Sequence, residues 1–333
     1  MNRASLIFAM LLAVLLPLSL LAGRVWINPF SADWPQNAAL ILAELRLPRA
    51  VLAAIIGAGL GASGAAMQGY LRNPLADAGL FGIAPMAALG AVASFWFASL
   101  IPPAFAAWSL PVMALGGAGL GMALLALIAG RTSSDAAGGA GGGIALFTLA
   151  GLMLASLAGA LTALAITLAP NPFALSEIVL WLNGALTDRS WREVWLAAPL
   201  VAAGVAVLAL AARSLDALTL GEQAARSLGL NPAQLLALLV VGIGLTVGAS
   251  VAVAGIIGFV GLVVPHLVRP LTDRLPSSLI VPSALAGACL VLAADSVVRI
   301  LPLVTELRLG IALSLIGAPF FLWLLLRMRR GKL

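Results

Sequence analysis

Ten apolar stretches, most of them near the length that crosses a lipid bilayer, take up almost all of this 333-residue chain. A helix needs about 20 mostly apolar residues to span the hydrocarbon. The stretches lie near residues 4–25, 48–70, 79–100, 108–130, 142–168, 191–212, 232–252, 254–270, 279–299 and 308–328. Between them nothing reads as a soluble domain. Only 9% of the residues are charged and 62% are hydrophobic. No soluble fold can hide that much apolar surface, so the solvent is lipid. Backbone groups in lipid must pair internally, and runs this long are helices, not barrel strands. The expectation is an all-α, polytopic membrane protein of about ten transmembrane helices, a single domain over 1–333.

The charges orient it. Of the 18 basic residues, 17 are Arg and one is Lys332. With the N-terminus in the cytoplasm and ten alternating spans, eleven basic residues fall inside and seven outside. Cytoplasmic loops carry the basic excess, so both termini are expected in the cytoplasm. The sequence pI of about 11.2 then reflects arginines flanking membrane spans rather than nucleic-acid binding. Arg3 and the apolar run after it resemble a signal peptide, but the run is long and lacks a clean small-x-small cleavage site, so it reads as a retained first span.

Three connections stand out. Residues 169–190, on the outer side, carry Glu177, Trp181, Asp188 and Arg189 and are expected to hold a short interfacial helix. Residues 134–143 are Gly-rich. Residues 213–231, on the inner side, read RSLDALTLGEQAARSLGLN, a short helix that Thr219 or Gly221 can open and that closes near Gly229. Long structured loops in a chain of short ones carry function.

Catalysis has no residues to work with. One His and one Cys, His266 and Cys289, make neither a zinc cluster nor a disulfide. A phosphate-binding Walker loop needs a Lys after Gly, and the sole Lys sits in the basic tail. No nucleophile-base-acid set is visible. A secondary transporter driven by an ion gradient, the rival reading, needs buried acids at mid-membrane, and most acids here lie at span ends or in loops. An intramembrane enzyme lacks its catalytic pair.

Five motifs in order carry a resemblance: LRLPR (45–49), SGAAMQGYLRNPLADAGLFG (63–82), LTLGEQAARSLGL (218–230), VAVAGIIGFVGLVVPHLVRP (251–270) and LGIALSLIGAPFFLWLLLR (309–327). Together they resemble the FecCD-type permeases of ATP-binding-cassette importers for ferric siderophores, haem and cobalamin, over almost the whole chain. The resemblance implies a ten-helix subunit that pairs with a second copy around a central pathway. It also implies two ATPase subunits beneath, which hold the ATP and Mg, and a periplasmic binding protein that delivers the ligand. This chain itself is expected to hold no cofactor and no metal. The ATPase-docking segment maps onto Leu218, Gly221, Glu222, Ala225, Arg226, Leu228 and Gly229. Where the family usually has Pro, this chain has Ala78, Ile256 and Arg308; loss of Pro restores an N–H donor and straightens the local backbone.

Other residues have two readings each. Gln68, Asn73 and Pro74 close the second span and either line the pathway or hold the helix end. Gly255, Gly258 and Gly261, three residues apart before Pro265, form a bare stripe on a helix or break it, and in either form suit a gate. Gly57 with Gly61, and Gly117 with Gly121, are spaced for close helix packing. Arg46, Arg49, Arg189 and Arg192, on the outer side, either contact the binding protein or anchor the chain at the interface. Asp295 and Arg299, four apart, suit a structural ion pair. His266, in a helix end, suits hydrogen-bonded packing better than metal ligation.

Overall fold

The computed structural model describes residues 3–23, 37–77, 79, 81–130 and 142–329. Arg24, Ala78, Arg131, most of the Gly-rich connection and the tail with Arg330 and Lys332 lie outside the described residues.

Among the described residues the chain is helical, with no strand. In order come α1 (Arg3–Leu21), α2 (Leu47–Leu71), α3 (Ile83–Trp96), α4 (Pro103–Gly130) and α5 (Gly142–Thr167). Then follow α6 (Pro172–Leu182), α7 (Trp191–Leu218), α8 (Glu222–Ser227), α9 (Pro232–Ala254), α10 (Val260–Val268), α11 (Pro276–Ile300) and α12 (Leu309–Arg329). A π-helical turn, Ile41–Arg46, leads into α2. Eight helices are long and apolar enough to cross a bilayer.

Two of the expected stretches are not single long helices. The 79–100 stretch yields only the 14 residues of α3. The 254–270 stretch is not one helix: α9 runs on to Ala254, the backbone is non-helical from Gly255, and α10 restarts at Val260. The short helix expected in the outer connection is α6. Asn171 caps it, its side-chain oxygen accepting from Ala174 N at 2.8 Å, and Pro172 begins it.

Helix α2 is the axis of the bundle. It packs on α11, α7, α9 and α10. In α2 and in α9 the buried share of the apolar window is 78%, against 17% in α1. Small residues make this centre. A Cβ on Gly57 or Gly61 would meet the backbone of Gly287 or Ser283 in α11, and one on Gly117 the carbonyl of Met86 in α3. Lipid supplies no hydrophobic drive between helices, so close backbone approach and dispersion hold them together. Outward faces of α1, α4 and α5 leave large apolar side chains exposed, Leu6, Val14, Phe105 and Met153 among them. That is the arrangement a lipid-facing rim requires.

Candidate functional site

The break between α9 and α10 is built from glycines. Gly255 ends α9 at φ +74, a left-handed value that costs an L side chain energy. Phe259, at φ +66, opens α10 without a Cβ-free backbone to help it. A carbonyl at the end of α9 is met from elsewhere, Ala185 N donating to Ala254 O at 2.8 Å, and beside the break Gly310 N donates to Gly184 O at 3.1 Å. Gly184 and Gly310 both approach the carbonyl of Ile256 closely enough that a Cβ on either would clash. The outer loop after α6, the break and the start of α12 thus meet backbone to backbone. Ile256, one of the departures from the family pattern, sits at that meeting point.

The three glycines of the sequence pattern do not share one environment. Gly261 lies against α2, where a Cβ would stand 2.8 Å from Asp77 Oδ1 and 3.2 Å from Leu60 O. Its own carbonyl crowds Gly64, so a Cβ there would collide with it. Gly258 faces open space, with nothing within 4 Å of an added Cβ. Of the two forms the sequence left open, a helical stripe or a break, the segment takes the break, and Gly258 has room for a side chain. Pro265 lies buried inside α10.

Gln68 is buried. Its amide donates to Gly261 O at 3.4 Å and Leu262 O at 3.2 Å, while its Oε1 accepts from Arg269 Nη2 at 2.9 Å. One side chain thus ties the end of α2 to the start of α10 and to the turn beyond it. Asn73 is exposed and shapes the turn after α2: its N–H donates to Gln68 O and its side chain accepts from Leu75 N at 3.0 Å. Pro74 follows in the same turn.

Residues 218–230 have the expected form. Gly221 at φ +100 and Gly229 at φ +89 bracket α8. Leu218 and Ala225 are buried, which seats α8 against α7, while Arg226, Leu228 and Leu220 are exposed. Glu222 opens α8, where a carboxylate complements the helix dipole. A short helix seated on a long one can carry a displacement into the bundle.

The outer arginines divide into two sets. Arg46 is buried, its Nη1 donating to Leu20 O at 2.8 Å and Leu21 O at 3.1 Å. Arg49 donates to Asp295 Oδ1 at 2.7 Å and also pairs with Glu306. Neither guanidinium is presented for a partner, so the binding-protein reading of Arg46 and Arg49 is corrected: they hold α2 against α1, α11 and the α11–α12 loop. Arg192 is exposed, bonded to Glu193 Oε1 at 2.6 Å and 5.7 Å from the Trp108 ring centroid. Arg189 is half-buried in the loop before α7, and burial lowers its pKa; the charges of Glu193, Asp188, Arg192 and Arg308 all reach it. Arg189, Arg192 and Arg308 share one region at one end of the bundle.

The expected pair is present, Arg299 Nε standing 3.1 Å from Asp295 Oδ2. Its extension to Arg49 and Glu306, and the Gly184–Gly310 brace, were missed in the sequence; they join residues more than a hundred positions apart. In the α11–α12 loop, burial alone would raise the pKa of Glu306, but hydrogen bonding and attraction from Arg49 outweigh it and hold the carboxyl below its ordinary value. His266 packs edge-on against Phe320, ring centroids 6.1 Å apart. Among the described residues no group of three His, Cys, Asp or Glu side chains is placed to hold a metal ion.

A family model described as the FecCD transport family matches residues 7–327. The hemin transport system permease protein HmuU of Yersinia pestis is 37% identical over 289 residues, which are 87% of this chain and 84% of that protein. The vitamin B12 import system permease protein BtuC of Klebsiella pneumoniae is 36% identical over 322 residues, 96% of this chain and 92% of that one. A solved structure, described as an inward-facing conformation of a metal-chelate type ABC transporter, superposes with a TM-score of 0.85 at 29% identity. It covers 97% of this chain and 98% of that one.

Proposed function

We propose a role that proceeds from one plain fact: this chain belongs to the FecCD transport family. It is a membrane-spanning permease subunit of an ATP-binding-cassette importer, and it moves a ligand rather than catalysing a reaction. The ligand is an iron chelate, as a ferric siderophore or haem, or cobalamin. A periplasmic binding protein delivers it, two copies of this chain form the pathway, and two cytoplasmic ATPase subunits supply the energy with their own ATP and Mg. Both termini and α8 face the cytoplasm.

The observation that carries this reading is the placement of α8. A partner-ready short helix, framed by Gly221 and Gly229, stands on α7 with Leu220, Arg226 and Leu228 exposed. The buried acids also disfavour an ion-driven carrier: Asp295 is paired with Arg49 and Arg299, and Glu193 with Arg192. For the binding protein, the exposed Arg192 with Arg189 and Arg308 offers the basic rim.

Proteoliposomes holding this chain with its ATPase and binding protein test the reading. Uptake of haemin, a ferric siderophore and cyanocobalamin is measured with ATP inside, with ATP omitted, and under a proton gradient. ATP-dependent uptake of one of the three is expected. Uptake driven by the gradient without ATP would overturn the proposal. A Cys at Gln223, in a Cys289→Ser background, is expected to react only with reagent on the cytoplasmic side.

A further inference from the structure

At the end of the bundle that carries α8, a pocket of about 220 Å³ is lined by Gln68, Gly69, Arg72, Thr219, Arg269 and Arg274, with the first turn of α11 behind them. Three arginines converge there from two different connections. Among the described residues none of the three has a carboxylate within ion-pair distance. Arg274 stands close enough to Arg269 for their repulsion to matter. Arg269 spends one nitrogen on Gln68, and its buried Nε–H has no hydrogen-bond partner. A buried donor left unmet costs free energy, as does like charge gathered without a counter-charge.

The backbone reinforces this arrangement. Arg72, just past α2, and Arg274, just before α11, both hold left-handed backbone, at φ 50 and φ 69. L residues other than Gly, Asn and Asp seldom take that conformation, so the turns that carry these two arginines are unusual ones. The pocket also includes Pro276, the first residue of the 25-residue helix α11, whose amino end is already met by a carboxylate, Asp216 Oδ1 accepting from Ser277 N at 2.9 Å. Arg72 has one local explanation, since a cation suits the carbonyl end of α2. That accounts for one arginine and leaves Arg269 and Arg274.

We propose that this pocket binds a phosphate group. Arginine forks match its tetrahedral oxygens, and the Nε–H of Arg269 is a free donor at the same wall; the Thr219 hydroxyl is not, since it donates to Asp216 O at 2.7 Å. The volume admits a phosphate with several waters, each of which takes about 30 Å³ in the liquid. Two sources offer this group: free inorganic phosphate, and the headgroup of an anionic phospholipid. The site does not depend on which ligand the permease carries or in which direction.

The test uses the full-length chain in detergent micelles. Calorimetric titration with inorganic phosphate is compared with chloride at matched ionic strength, for the wild type and for the Arg72→Gln, Arg274→Gln double variant. Phosphate is expected to bind the wild type, and the variant to bind it at least about tenfold more weakly, as loss of a charge-assisted hydrogen bond implies. If the double variant loses melting temperature in chloride, Arg72→Lys with Arg274→Lys replaces it and is expected to retain phosphate. For the second source, nanodiscs of phosphatidylglycerol or phosphatidylcholine are extracted and bound lipid is counted by native mass spectrometry. Phosphatidylglycerol retained by the wild type and lost from the glutamine variant assigns the lipid source. Equal binding of chloride and phosphate, or no difference between wild type and glutamine variant with either probe, overturns the proposal. So does protection of Arg274 that arises only when an ATPase subunit docks, which would make the pocket a protein contact.

Discussion

Arg49 in α2 donates to Asp295 in α11 at 2.7 Å, and Asp295 has no exposed surface. Arg299 holds the other carboxylate oxygen at 3.1 Å. One buried acid therefore stands between two guanidiniums, with Glu306 completing the set through Arg49 and Thr187. Burying charge is costly, and breaking such a set by removing one partner costs more than the set itself contributes. Asp295→Asn leaves two arginines without their shared counter-charge. It is expected to lower stability by about 3–5 kcal/mol, read as a fall in melting temperature of the detergent-solubilised protein. A melting temperature equal to wild type would show that the arginines find other partners.

Glu306 makes part of that set pH-dependent. Its pKa lies below the ordinary value in the folded chain because Arg49 stabilises the carboxylate against burial. A group whose folded pKa is depressed stabilises the fold above its unfolded pKa, and that stabilisation is lost as pH falls through the folded value. Melting temperature is expected to be insensitive to this group at neutral pH and to fall on acidification below about pH 4.5, the ordinary value. Glu306→Gln is expected to be less stable than wild type at pH 7 and to converge with it in acid. A constant difference at every pH would assign the effect to packing alone.

The glycines separate packing from gating. Gly64→Ala places a Cβ into the carbonyl of Gly261 and is expected to destabilise the bundle by about 1–3 kcal/mol, since packed backbones must part. Gly258→Leu meets open space at its Cβ and is expected to insert and assemble normally. Uptake by that variant is then informative. Loss of uptake with intact assembly supports movement of the α9–α10 break, whereas normal uptake removes Gly258 from the gate.

Gln68→Leu keeps the volume near constant and removes three hydrogen bonds, to Gly261, Leu262 and Arg269. Two carbonyls and a guanidinium are left short of a partner at a buried site. The expected cost is about 2–4 kcal/mol, with faster amide exchange localised to α10. Exchange unchanged in α10 would mean that its seat does not depend on Gln68.

The docking helix is tested by Leu228→Asp beside a Glu222→Ala, Arg226→Ala pair. Leu228 is 66% exposed, so a charge there leaves the fold intact and spoils an apolar contact with a partner. Co-purification of the ATPase is expected to fall at least tenfold for Leu228→Asp, about 1.4 kcal/mol, and less for the charge pair, since rim charges steer more than they bind. Full recovery of the complex in both variants would move docking elsewhere.

What the amino-acid sequence determined by itself is the part that one-dimensional pattern can express. Apolar length and sparse charge set a helical membrane protein, the order of five motifs identified the family, and Gly221 and Gly229 framed α8, because hydrophobic partition and backbone freedom are local properties. The Asp295–Arg299 pair was legible for the same reason, since four residues is one helical turn. Only the tertiary structure decided that Arg49, expected at the surface, turns inward to Asp295, 246 residues away. It also decided that Gly261 is packed against α2 while Gly258 is open, and that Gly184 and Gly310 brace the break at Ile256. Hydropathy cannot tell an arginine at an interface from one with a distant counter-ion, nor a glycine that is crowded from one that is not. Those distinctions depend on which backbone lies opposite, and that is settled by the way the helices pack.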